Sequence, residues 1–204
     1  MRTIFKYILL ITLSLSGVSL RAQLLDSLSL DTLTAITSMA EAIKNPDAVV
    51  KLELKKQKLS AIPSEIRKFK NLQYLDLSKN KITELPEWIG ELTNLQYLIL
   101  SKNKLVILPK QIGDLAELKY LNANQNELES IPAQMGKLHN LTRLDLWSNN
   151  IGSLPEEVKY MKSLRILDLR AILFSDLEQQ KIHELLPGTF IYFSPNCKCQ
   201  LGGG

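Results

Sequence analysis

Tyr74, Tyr97 and Tyr120 recur at an interval of 23 residues, and Arg143 and Ile166 continue the column. Two positions along run Glu53, Asp76, Ile99, Asn122, Asp145 and Asp168, and two beyond those Lys55, Ser78, Ser101, Asn124, Trp147 and Arg170. Side chains two apart on a strand share a face, so the three columns lie on one outward surface of a set of short strands. With strands about 5 Å apart, the tyrosines form an aromatic strip roughly 10 Å long. Tyr and Trp carry a large apolar area with a polar handle and recur among binding hot spots. Tyr74, Tyr97, Ile99, Tyr120, Arg143 and Trp147 are therefore the candidate ligand-binding residues, with Tyr97 at the centre and expected to face solvent. The competing reading is that adjacent tyrosines only stabilise a sheet by cross-strand packing.

Other residue types point to less. Asp76, Asp145 and Asp168 share a face, and paired carboxylates can do acid–base work. The sequence has no G-x-x-x-x-G-K-[ST], H-E-x-x-H or G-x-S-x-G, so no catalytic residue is assigned and the expectation is not an enzyme. Cys197 and Cys199 are the only cysteines. In an oxidising compartment they could close a local disulfide, pair between chains or bind a soft metal. Two ligands do not close a zinc site, and His139 and His183 show no ligand spacing, so neither a metal nor a cofactor is expected. Lys56, Lys79 and Lys102 form a basic row, which reads as a solvated strand end.

The elements that place these columns follow from one phrase, L-x-x-L-x-L-x-x-N, beginning at Leu72, Leu95, Leu118 and Leu141, with degenerate copies at Val49 and Leu164. Alternation about an exposed fifth position marks one short strand per copy, about six in all. Asn80, Asn103, Asn126 and Asn149 fall where the chain leaves the strand. An amide that both donates and accepts can pair turn backbone there, so stacked copies predict an Asn ladder. Ile62-Pro63, Leu85-Pro86, Leu108-Pro109, Ile131-Pro132 and Leu154-Pro155 open a return limb with an apolar residue three after each Pro. One such unit cannot bury its apolar face alone, so stability comes from neighbours and the ends need caps.

The phrase is the leucine-rich repeat signature. Leu85–Leu95 and Leu108–Leu118 resemble the 23-residue L-P-x-x-I-G-x-L-x-x-L class found in Ras-suppressor-type proteins and in many bacterial repeat proteins. The resemblance covers residues 49–171 of the 204. It implies an α/β, curved, right-handed solenoid with a parallel sheet, and a binding task whose ligand the fold does not name. Some bacterial relatives of this pattern carry a ubiquitin-ligase domain; nothing after the cap here resembles one.

At the N-terminus, Arg2 and Lys6 precede the apolar run Tyr7–Val18, and Leu20-Arg21-Ala22 offers a cleavable end. Residues 1–22 therefore read as a secretory signal peptide, too short to span a bilayer. The chain has 25 basic and 21 acidic residues, and Arg2, Lys6 and Arg21 lie in the leader, leaving 22 basic against 21. A nearly neutral mature chain gives no footprint for nucleic acid. Residues 23–47 read as a linker and an N-terminal capping helix, with Ser38 and Glu41 as a capping box and Met39, Ala42 and Ile43 packing down. Residues 48–172 hold the repeats. In 173–193 a helix opened by Ser175 and Glu178 buries Leu177, Ile182, Leu185 and Leu186, and a strand from Thr189 to Phe193 adds to the sheet edge. Residues 194–204 form a tail with the Cys pair. With a cap at each end, the solenoid reads as complete.

The expectation is a secreted or periplasmic, monomeric module binding a protein, peptide or glycan, with no membrane contact after leader removal. The alternatives are an intracellular Ras-suppressor-like scaffold and a redox or metal-handling protein acting through Cys197 and Cys199.

Overall fold

The computed structural model describes residues 24–194. The expected leader, Gln23, Cys197 and Cys199 lie outside the described residues.

Among the described residues, seven strands of three residues each form one parallel sheet in chain order. They are β1 (Lys51–Glu53), β2 (Tyr74–Asp76), β3 (Tyr97–Ile99), β4 (Tyr120–Asn122), β5 (Arg143–Asp145), β6 (Ile166–Asp168) and β7 (Phe190–Tyr192). Pairing is strictly in register, with Lys51 opposite Tyr74, Tyr74 opposite Tyr97, Tyr97 opposite Tyr120 and Ile166 opposite Phe190. The fourth and sixth positions of each repeat, such as Leu75 and Leu77, are buried in one continuous apolar core. That core runs the length of the stack because every strand presents the same face to it.

The return limbs are 3-10 turns at Ser64–Lys68, Glu87–Glu91, Lys110–Asp114, Ala133–Lys137 and Glu156–Tyr160, each directly preceded by its proline. Proline fixes φ without needing a donor there, and the turn behind it buries Ile66, Ile89, Ile112, Met135 or Val158. Gly113 has a packing reason, since a Cβ on it would fall on the carbonyl of Gln134 in the next limb.

The eighth position of each repeat is left-handed, with φ between 52° and 60° at Lys56, Lys79, Lys102, Gln125, Ser148 and Ala171. This turn lets the chain leave the strand and places Lys56, Lys79 and Lys102 in solvent. The following asparagine pairs the freed backbone. Asn103 accepts from Ile82 N–H at 3.0 Å and donates to the carbonyls of Leu77 and Leu100 at 3.0 and 2.9 Å. Asn126 and Asn149 repeat the pattern one and two units on, and Asn80 does so at the first junction. Each bridges its own repeat to the preceding one. In the last copy Ile172 stands at this position and is buried instead.

The ends depart from the repeat. Helix α1 spans Ser27–Thr32, α2 is a single turn at Met39–Ala42, and α3 spans Asp176–Leu185. Ser175 accepts from the Glu178 amide at 3.2 Å as a cap should. Ser38 makes no side-chain cap bond. Two expected core residues are corrected. Ile43 is exposed because α2 stops at Ala42, leaving only Ala42 buried and Met39 partly so. Leu177 is exposed because the first turn of α3 faces outward, and burial begins at Ile182.

Candidate functional site

The outward sheet face carries the columns named above. Tyr74 and Tyr97 stack with ring centroids 5.8 Å apart, and Tyr97 meets Tyr120 edge-on at 6.3 Å. Lys51 Nζ sits 4.9 Å over the Tyr74 ring and the Arg143 guanidinium 5.4 Å over Tyr120, so a cation closes each end of the strip. The in-register ladder alone brings these residues together. Burial, then the carboxylates of Asp76 and Glu53, push the Tyr74 hydroxyl well above the ordinary phenol range. Tyr120 is also pushed up, by burial and then by Asp145. The Tyr120 hydroxyl accepts from Asn122 Nδ2 at 3.1 Å.

The fifth-position carboxylates have a local task. Asp76 accepts from Ser78 N–H at 2.8 Å, Asp168 from Arg170 N–H at 3.2 Å, and Asn122 from Asn124 N–H at 3.1 Å. Each turns the strand end two residues on. Asp76 is also 3.6 Å from Lys55 Nζ, and Asp168 holds the Arg170 guanidinium at 2.6 Å. Burial raises the Asp168 pKa, but its bonds to Arg170 outweigh this and the net shift is downward. Asp145 goes the other way, raised by burial and by the neighbouring Asp168. Asp145 accepts from Trp147 N–H at 3.4 Å and from Asn124 Nδ2 at 3.1 Å, so each of the three carboxylates on this face has a structural bonding partner.

The first half of the strip is covered by the chain itself. Tyr97 is half buried rather than open to solvent, and its hydroxyl donates to Ser27 Oγ of α1 at 2.7 Å. Trp147 and Ile99 are also partly buried, while Arg143 is exposed. Two aromatics that the sequence reading did not place on this face belong to it. Phe190 and Tyr192 lie in register with Ile166 and Asp168, are exposed, and Tyr192 has the Arg170 guanidinium 5.7 Å over its ring. Their period-two alternation carries the signal. Trp88 lies on the return-limb side, partly buried against the core.

Residues 49–118 match the family described as leucine-rich repeat region, and residues 140–161 the leucine rich repeat. A leucine-rich repeat protein of Leptospira interrogans is 35% identical over 80% of this chain, with a TM-score of 0.62. The fold is a leucine-rich repeat solenoid. The chain spans 49% of that Leptospira protein, about half its length. Internalin C2 from Listeria monocytogenes shares the fold at a TM-score of 0.65, with 23% identity over 78% of this chain and 67% of its own. The leucine-rich repeat ectodomain of a plant membrane receptor kinase from Arabidopsis thaliana, solved in complex with Casparian strip integrity factor 2, is 34% identical. It covers 56% of this chain and 14% of its own, at a TM-score of 0.52. No curated protein matches the chain.

The solenoid also holds polar ladders that its sequence signature does not advertise. Asn71, Asn94 and Asn140, each just before a repeat's first leucine, donate to the carbonyls of Asp47, Lys70 and Ala116 at 2.7–2.9 Å. Gln73 and Gln96, at the second repeat position, are buried and bonded to each other at 2.9 Å. Among the described residues no cluster of His, Cys, Asp or Glu is placed to hold a metal ion, and no helix is long and apolar enough to cross a membrane.

Proposed function

We propose that this chain is an exported, non-catalytic recognition module that holds a protein or peptide ligand, or a glycan, on the β4–β7 half of its open sheet face. The supporting observation is that Tyr120, Trp147, Phe190 and Tyr192 share one outward surface with Arg143 and Arg170, the two guanidiniums lying over aromatic rings. Aromatic and arginine side chains are the types on which binding energy concentrates. The leucine-rich repeat fold is a protein-interaction scaffold, and the Arabidopsis ectodomain was solved with a bound partner. The site moves from the centre of the tyrosine strip toward the C-terminal half, because α1 covers Tyr97.

Capture on the immobilised chain, repeated with Arg143→Glu, tests the reading. Loss of the captured partner at unchanged melting temperature supports it, and retention contradicts it. Export rests on Arg2, Lys6 and the apolar run to Val18. N-terminal sequencing from the native host should read from Gln23, whereas an intact Met1 would favour an intracellular scaffold.

A further inference from the structure

The segment from Leu25 to Thr32 is held on the outer rim of the sheet by a set of contacts that reads as peptide recognition. Leu25 N–H donates to Gln73 Oε1 at 2.8 Å, and Gln96 Nε2 donates to the Leu25 carbonyl at 2.9 Å, so two side chains from adjacent repeats take both polar groups of one peptide residue. Gln96 Nε2 also bonds Gln73 Oε1, and Lys119 Nζ donates to Gln96 Oε1, which fixes the orientation of the pair. Ser27 receives the Tyr97 hydroxyl, and Asp26 caps α1 through the Ser29 amide at 2.7 Å. At the other end Lys51 Nζ donates to the carbonyls of Leu30 and Asp31 at 2.9 and 3.4 Å. These are the last carbonyls of a short helix, where a cation is favoured.

Two comparisons within the molecule show that this is a docked segment on a built surface. Gln73 and Gln96 are 1% and 0% exposed, whereas Thr142 and Arg165, at the same repeat position on strands the segment does not reach, are exposed. Leu30 is 0% exposed yet stands outside the continuous core of the solenoid. The segment thus buries a leucine and two glutamines without being part of the repeat packing.

We propose that the β1–β3 half of the sheet face is a peptide subsite filled in cis by residues 25–32, and that it accepts in trans a peptide of the same chemistry. That chemistry is a main-chain amide for the glutamine pair, an Asp-Ser pair opening a helical turn, and a leucine five residues after the clamped one. The cis segment competes with such a peptide through its high local concentration, on the order of millimolar for a short tether. The proposal rests on the reading of the open face as a docking surface and names how its N-terminal half is regulated.

The test uses the full chain and a labelled synthetic peptide spanning residues 24–33. Leu30→Asp places a charge at a fully buried position and releases the cis segment. The peptide should bind Leu30→Asp at least tenfold more tightly than wild type, and Gln96→Ala in that background should return binding to the wild-type level. A Leu30→Asp chain that melts cooperatively but binds no better than wild type overturns the proposal. If Leu30→Asp loses its cooperative melt, Leu30→Ala is read in the same way, and no gain in peptide binding there overturns it equally. Capture through Arg143 reads the other half of the face, so a failed peptide result with intact capture rejects this subsite alone.

Discussion

Asn103 donates to the carbonyl of Leu77, 26 residues earlier, at 3.0 Å, and so ties its own strand end to that of the preceding repeat. A buried amide that serves two repeats makes the ladder a coupling between them. Asn103→Ala leaves the buried Ile82 N–H without its partner and takes one of two amide donors from each of the Leu77 and Leu100 carbonyls, which keep Asn80 and Asn126. It should cost roughly 1–3 kcal/mol. Position along the array does not soften this, because Asn149 makes the equivalent bonds to Ala123, Leu146 and Leu128. Denaturant melts of the two variants should show losses of similar size. An unchanged midpoint for Asn103→Ala would contradict the ladder.

Gly113→Ala tests the return limbs. The added methyl meets the Gln134 backbone, which cannot rotate away, so neighbouring limbs must separate. The expected cost is about 1–3 kcal/mol, as for other overpacked sites. Gly152→Ala, where a Cβ would meet nothing within 4 Å, is the control. Equal melting temperatures for the two variants would contradict the close approach.

Asp145 gives the solenoid a pH signature. Its carboxyl is raised by burial and by Asp168, so its favourable contribution is complete below the unfolded pKa and is lost as pH rises through the folded one. Asn fills the equivalent position at 122 in the previous repeat. Asp145→Asn removes the titration, so its stability relative to wild type should rise between acid and neutral pH and level off above the folded pKa. A variant whose stability relative to wild type falls with rising pH would contradict the assigned cause.

The strands, their order and their register were legible because the repeat enforces one answer six times over, and a one-residue slip would turn every leucine outward. Asn103 and its counterparts were legible for the same reason. What sequence alone could not place was whatever occurs once. Leu25–Thr32 has no register with the repeats, so nothing in the sequence indicated that it crosses from Lys51 to Tyr97 and takes the centre of the strip. Gln73 and Gln96 look like exposed polar residues until that segment covers them. Ile43 and Leu177 have the spacing of buried residues, but α2 stops before Ile43 and the first turn of α3 faces solvent. The strand carrying Phe190 and Tyr192 was legible from its alternation, but it has no repeat phrase to fix its register, so only the pairing with Ile166 and Asp168 shows that both aromatics share the outward face.

The central claim is that ligand binds the outward sheet face at β4–β7, and matched variants on opposite surfaces test it most directly. Trp147 lies on the sheet face and Tyr160, half exposed, on the return limbs. Affinity for a captured partner should fall by about 2 kcal/mol or more in Trp147→Ala and stay at the wild-type value in Tyr160→Ala, with both chains keeping their melting temperature. Undiminished affinity in Trp147→Ala with a loss in Tyr160→Ala would place the ligand on the opposite surface and contradict the account.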